Sequence, residues 1–198
     1  ADPVNITQAL ANGARNFGAS ILQGVKVTAI QQANGRVTGV ETDHGPIAAD
    51  YVVNAGGMWG REIGAMADVA VPLHACEHFY IVTEAMPDLT ANLPVLRVPD
   101  ECAYYKEDAG KILLGAFEPN SKPWGMNGIP EGFEFDSLPE DLDHFEPILE
   151  RAVERFPLLA SAGIQTFFNG PESFTPDDRY ILGEAPELDN FYVAAGFN

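Results

Sequence analysis

The chain is short of positive charge. Its 198 residues hold 11 Lys and Arg against 29 Asp and Glu, a formal net charge of −18. Nucleic acid and anionic lipid surfaces both need clustered cations, so neither is expected as a partner. The acids are scattered, which points to a solvated acidic exterior and not to a disordered tail. Long apolar runs are missing too. No stretch approaches the ~20 residues needed to span a bilayer. The first residues do not carry the basic and apolar pattern of a leader, and no membrane association is expected. Cysteine is scarce: Cys76 and Cys102 make neither a metal pattern nor a disulfide framework. Both are expected as buried, reduced thiols in strand-like runs, and with them a cytoplasmic setting. His44, His74, His78 and His144 include no pair at the spacing of a structural zinc site, so no metal is expected.

What is present begins with Tyr51-Val-Val-Asn54, a short apolar run long enough for a buried strand. Ala55-Gly56-Gly57 follows, and Met58 to Ala67 reads as a helix. Strand, small residues, helix is how a parallel sheet lets backbone approach an anionic cofactor. With nothing bound, the same pattern is a tight strand-to-helix turn.

Asp2-Pro3 is a helix start, an Asp cap followed by Pro at the first turn. Val4, Leu10, Ala14 and Phe17 would form its inner face, and Gly18 would end it. A strand is expected from Ile21 to near Ile30. Asn34-Gly35 is a strong hairpin signal, with Arg36 to Thr42 as the returning arm. After Val71 the character changes. Strand-like runs at 71–83, 94–98, 103–106 and 111–116 follow one another without helices, which implies an antiparallel or mixed sheet and a second domain. Residues 119–135, rich in Pro, Gly and aromatics, read as a long loop. Ser137 to Glu140 has a capping-box pattern ahead of a helix whose inner face holds Leu142, Phe145, Leu149, Ala152, Val153 and Phe156. Pro147 conflicts with that helix and implies a kink or a later start. Gly163 to Phe174 reads as a strand broken at Asn169-Gly170-Pro171. Thr175 to Arg179 is a turn, with short strands at 180–182 and 191–195.

Taken in order, these pieces resemble one family. Gly13 to Ala19, Val27 to Ile30, Val53-Asn-Ala-Gly-Gly-Met-Trp59, Glu77-His-Phe-Tyr-Ile-Val-Thr83, Leu93 to Arg97, Tyr104-Tyr105, Asn169-Gly-Pro171, Thr175 to Gly183 and Asn190 to Phe197 form a collinear set. The set is similar to the flavin-dependent amine oxidoreductases of the D-amino-acid-oxidase superfamily, in the dimethylglycine/sarcosine dehydrogenase branch. The resemblance implies a chain that is α/β and α+β. A partial FAD-binding, Rossmann-like domain (1–70, returning at 175–198) would flank a mixed or antiparallel-sheet substrate domain with a helix (71–174). The family's Gly-x-Gly-x-x-Gly fingerprint is absent, and its C-terminal flavin segment does not continue past residue 198. Tyr180 stands where the family often has a proline, three residues after Asp177. The chain is therefore expected to be an internal fragment that alone binds FAD weakly or not at all, since the missing turn holds the pyrophosphate.

Site residues follow from the same resemblance. His78 matches the branch's strand histidine and suits proton transfer near neutral pH; the plain alternative is a histidine hydrogen-bonded beneath a sheet. Tyr104 and Tyr105 match a Tyr-Tyr pair, and strand alternation sends one of them to the site, Tyr104 being preferred because Lys106 shares its face. His78 and Tyr104 are the catalytic candidates. Tyr105, Lys106 and Arg97 are the substrate-binding ones, with Lys106 or Arg97 pairing a carboxylate. Val27, Ala55, Gly56 and Trp59 would meet the dinucleotide, and Gly196 and Phe197 would begin the flavin-side loop.

The implied function is oxidation of the C–N bond of a small secondary or tertiary amine such as dimethylglycine or sarcosine, with a folate-binding domain downstream in some members. Oxidation of another amino acid in the same superfamily is one alternative. A non-catalytic interaction module that kept the fold is the other.

Overall fold

Asp2 caps the first helix: its Oδ1 accepts hydrogen bonds from the Val4 and Asn5 N–H groups at 2.9 and 3.3 Å. In the structure, a computed structural model describing residues 2–197, helix α1 runs Pro3–Asn16. None of its residues is buried, and Val4, Leu10 and Phe17 lie open to solvent. Among the described residues, nothing covers the expected inner face. The strand expected from Ile21 starts later, as β1 (Val27–Ala33), because the chain bends through Gly24 at a positive φ.

Asn34 and Gly35 turn β1 back into β2 (Arg36–Thr42) with φ of 54° and 76°, the paired positive values of a tight hairpin turn. Strand β3 (Ile47–Ala48) completes this antiparallel meander. Strand β4 (Val52–Asn54) leads through a single 3-10 turn, Gly57–Trp59, into the short helix α2 (Gly60–Ala65).

The middle of the chain builds a five-stranded antiparallel sheet from β5 (His74–Thr83), β6 (Leu96–Val98), β7 (Ala103–Asp108), β8 (Lys111–Ala116) and β9 (Ile164–Phe174), in the order β6-β7-β8-β5-β9. Helix α3 (Leu142–Arg155) packs on one face. Its cap is Asp141, whose Oδ1 accepts the His144 N–H at 3.0 Å, so the helix begins after the Ser137–Glu140 signal. Pro147 stays inside it, and leaves the Asp143 carbonyl without its helical donor. Leu142, as the first residue, is exposed, while Ile148 joins Phe145 and Ala152 inside.

Strand β9 is not broken at Asn169-Gly170-Pro171. It pairs with β5 in one register from His74 opposite Phe174 to Val82 opposite Thr166, and only then shifts by one residue to set Thr83 opposite Ile164. It lies at the sheet edge, where the missing N–H of Pro171 disturbs no second ladder. Cys76 is buried in β5, but Cys102 is half-buried in a left-handed turn (φ 57°) between Pro99–Glu101 and β7, outside any strand; both are free thiols. The chain then returns through β10 (Ile181–Glu184) and β11 (Phe191–Ala195). Strand β11 is antiparallel to β10 and parallel to β4.

Two apolar cores result. One gathers Ile30, Val37, Val71, Leu73, Leu188, Phe191 and Val193. The other gathers Phe79, Ile81, Tyr105, Leu114, Phe145 and Leu159 between the five-stranded sheet and α3. Each fully buried Phe, Ile or Leu contributes about 1.5–3 kcal/mol. Among the described residues, no helix is long and apolar enough to cross a membrane.

Candidate active site

Strand β5 works both faces of its sheet. Phe79 and Ile81 point into the core under α3, at 0% and 1% exposure. His78 and Tyr80, one residue out of phase, point to the opposite face. There His78 Nε2 lies 3.0 Å from the Tyr104 hydroxyl. Tyr104 belongs to β7, and β8 runs between the two strands. The pair meets because the β8 residue beside both Tyr80 and Tyr104 is Gly115. A methyl group there would overlap the Tyr104 ring and hydroxyl.

Beside this pair the sheet face forms a pocket of about 560 Å³, lined by His78 with Tyr104 behind it. Phe117 lines it, with ring centroids 4.6 Å from His78 and 5.6 Å from Tyr104. The Arg97 guanidinium lies 5.0 Å from the Phe117 ring centroid. Phe174 and Thr175 close another wall. Glu172, on β9, points its Oε2 to within 3.6 Å of His78 Nδ1. Glu172 is not itself part of the lining; of the acids that are, Glu118 pairs with His144 Nε2 at 2.8 Å and Glu77 with Lys122 at 3.4 Å.

The environment acts on both partners. Burial lowers the His78 pKa from its ordinary value, against the opposing pull of Glu172 and then Glu118. The imidazole is therefore neutral near pH 7. Burial, then Glu172 and Tyr80, push the Tyr104 phenol up to about 12, against a smaller opposite effect of Arg97. Tyr104 keeps its proton across the physiological range, and His78 is left as the group able to accept one.

The other expected substrate residues separate. Arg97 lines the pocket. Tyr105 does not reach it: alternation turns the ring to the far face of the sheet, where it is 4% exposed and packs edge-on against Phe156 at 5.0 Å. Lys106 is on the Tyr104 side but is exposed and bonds Asp108 at 2.9 Å, outside the lining.

The residues expected to face a dinucleotide are grouped by one parallel pair. Val193 of β11 lies opposite Asn54 of β4, so 55–59 and 196–197 leave from the same, carboxyl end of the two strands. In open α/β sheets that end is where ligands sit. Asn54 braces the turn: its Nδ2 donates to the Gly60 carbonyl at 2.7 Å and its Oδ1 accepts the Gly56 N–H at 3.3 Å. Gly57 has φ 55° and open space where a side chain would be, and Trp59 is partly exposed. Bare backbone at this sheet end fits the approach of a flavin dinucleotide. Ala55 is exposed, and Phe197 stacks on Tyr180 at 5.0 Å. Gly196 (φ 70°) backs onto the pocket: a methyl group there would lie 2.6 Å from Cγ2 of Thr175, a lining residue. Val27 stands apart in another sheet, packed against the first core and paired with Thr42.

Gly115, Phe117 and Glu172 were not singled out from the sequence. Gly115 is an isolated glycine inside a strand pattern, which signals close approach of a neighbour. The role of Glu172 depends on β9 register and leaves no local mark.

Comparison with known proteins gives consistent relatives. The model of the FAD dependent oxidoreductase family, DAO, matches residues 1–198. The chain is 41% identical to the 4-methylaminobutanoate oxidase (formaldehyde-forming) of Paenarthrobacter nicotinovorans, covering 100% of this chain and 24% of that protein. It is 40% identical to the mitochondrial pyruvate dehydrogenase phosphatase regulatory subunit of Mus musculus, over 98% of this chain and 22% of that one. It is 37% identical to the mitochondrial sarcosine dehydrogenase of Homo sapiens, over 100% and 22%. Among solved structures, the L-proline dehydrogenase of P.horikoshii superposes with a TM-score of 0.80 at 27% identity, covering 100% of this chain and 50% of that chain. The chain thus spans about a quarter of the length of these curated relatives.

Proposed function

The chain belongs to the FAD dependent oxidoreductase family, DAO, and from that premise we propose that it carries the substrate pocket of an enzyme oxidising the C–N bond of a small secondary or tertiary amine that bears a carboxylate. Sarcosine and dimethylglycine are the type substrates. In this reading residues 71–174 are the substrate portion, and 1–70 with 175–198 are part of the FAD-binding portion. FAD belongs to the full-length protein, and the isolated chain holds it weakly or not at all.

One observation carries the reading. A neutral His78 hydrogen-bonded to Tyr104 shares a pocket with Arg97 and Phe117, and the pocket wall at Thr175 touches Gly196, where the flavin-side loop begins. Arg97 takes the substrate carboxylate by its planar fork. The faces of Phe117 and Tyr104 and the carboxylate of Glu172 favour a methylated, positively charged nitrogen. His78 Nε2 receives the amine proton by way of the Tyr104 hydroxyl, so that the lone pair is free. FAD, when bound, supplies the two-electron acceptor for the carbon beside that nitrogen. The names of two relatives, a sarcosine dehydrogenase and a 4-methylaminobutanoate oxidase, support the same substrate chemistry.

A second reading has its own support. A relative of nearly equal identity is named as a regulatory subunit, which favours an interaction module on the same fold. A flavin titration of this chain beside the longer protein that contains it separates the two, followed by bleaching with sarcosine, dimethylglycine and 4-methylaminobutanoate. Binding and bleaching by the longer protein alone is the expected result. Binding without bleaching by any of the three overturns the substrate class, and no flavin binding by either protein favours the regulatory reading.

A further inference from the structure

Glu172 is the unexplained charge beside His78, behind the pocket lining. It sits on the edge strand β9, and its register position opposite Cys76 makes it the diagonal neighbour of His78 on the same sheet face. Gly170, directly opposite His78, offers no side chain there, so the imidazole meets Glu172. The carboxylate side chain is one-third exposed, and among the described residues its one ion contact is His78 Nδ1 at 3.6 Å.

We propose that Glu172 is a positioning residue that holds His78 in the tautomer protonated at Nδ1, so that Nε2 is the lone pair presented to the Tyr104 hydroxyl. The choice is electrostatic. A carboxylate facing Nδ1 favours an N–H there and opposes a lone pair. With Nδ1 protonated, Nε2 accepts the Tyr104 O–H at 3.0 Å. With Nε2 protonated, the ring would turn a lone pair toward the carboxylate, and the phenol hydrogen would lose its acceptor. When Nε2 takes up a proton, the imidazolium gains Glu172 as its counter-charge. The bond broken is the donor's N–H or O–H, the bond formed is His78 Nε2–H, and no oxidation state changes.

The groups around the ring support the assignment. Tyr104 faces it from β7, Phe117 and Glu118 from the segment after β8, and Glu172 from β9, with Arg97 behind Phe117. Glu118 is already committed to His144, which leaves Glu172 as the acid able to discriminate the two ring nitrogens.

The role of Glu172 rests on the proposed function, but its test does not. Ring nitrogen spectra of the resting 198-residue chain, with His78→Asn to assign the signals, read the tautomer without flavin or substrate. His78 is expected to be protonated at Nδ1. In Glu172→Gln the ratio of Nδ1-H to Nε2-H should fall roughly tenfold, the scale of a charge contact of this length in a half-buried site, and His78 should titrate at lower pH. Glu172→Asp, which keeps the charge one methylene further back, should fall between the two. An Nε2-H ring in the parent chain, or an unchanged ratio in a folded Glu172→Gln chain, overturns the proposal. If the tautomer follows Glu172 while the longer flavoprotein oxidises no amine, the functional reading alone fails.

Discussion

Tyr104 hydrogen-bonds His78 from two strands away, over the bare backbone of Gly115. Neighbouring strands lie about 4.8 Å apart, so a phenol must lie nearly flat across the intervening strand to make that bond. Any side chain at 115 occupies the same space. Gly115→Ala is therefore expected to lift the ring off the sheet and break the 3.0 Å contact. The phenol would gain solvent, and its titration would fall from about 12 toward its ordinary value of 10.0. Ultraviolet titration of the phenolate checks this. Overpacking should also cost about 1–3 kcal/mol in urea unfolding.

Removing the hydroxyl alone is a gentler change. Tyr104→Phe keeps the ring but leaves His78 Nε2 without its donor. A loss of about 1 kcal/mol in stability is expected. In the longer flavin-loaded protein, flavin reduction by dimethylglycine should slow roughly 10²-fold, the usual scale for a lost proton-transfer partner. Stopped-flow bleaching measures it, and an unchanged rate would remove Tyr104 from the proton path.

Stability should depend on pH through His78. Its folded pKa lies below the unfolded value of 6.5. Between those two values the unfolded chain binds more protons, so stability rises with pH across that window and is fully present above 6.5. As pH falls from 6.5 toward the folded pKa, the urea midpoint should drop. The drop should be smaller in His78→Asn. An equal drop in both chains would assign it to other groups.

Arg97 offers a test of substrate charge. In the longer flavin-loaded protein, Arg97→Met should raise the KM for sarcosine roughly tenfold or more while changing kcat less. For an amine of similar size without a carboxylate, the two proteins should match. Equal losses on both substrates would show that Arg97 serves the pocket's shape and not the carboxylate.

How much of this was readable in advance depends on how local the signal is. The Asp2-Pro3 cap, the Asn34-Gly35 turn and the bounds of β2, β8 and β11 are written in adjacent residues, and they stand where the residues put them. Alternation places Tyr104 and Tyr105 on opposite faces, but the preference for Tyr104 rests on Lys106 sharing its face. Sharing that face was not enough for Lys106 itself, whose charge is taken by Asp108 two residues on, a neighbour visible in the sequence. Gly115 carries the signal of an isolated strand glycine, but which neighbour approaches it, like the place of Glu172, depends on strand order and register that no local residues record. The apolar positions of α1 are legible in the sequence, yet none of them is buried. Pro171 misled because edge strands tolerate what central strands do not.

Neighbouring residues of β5 serve two faces, Phe79 and Ile81 for the core under α3 and His78 for the pocket. Gaining or losing one residue near the strand's start would send Phe79 to the pocket and bury the imidazole of His78 under α3. Conservative substitutions along this strand can be absorbed one at a time, but a single-codon insertion or deletion cannot. Related sequences should therefore keep an invariant spacing from His74 to Thr83.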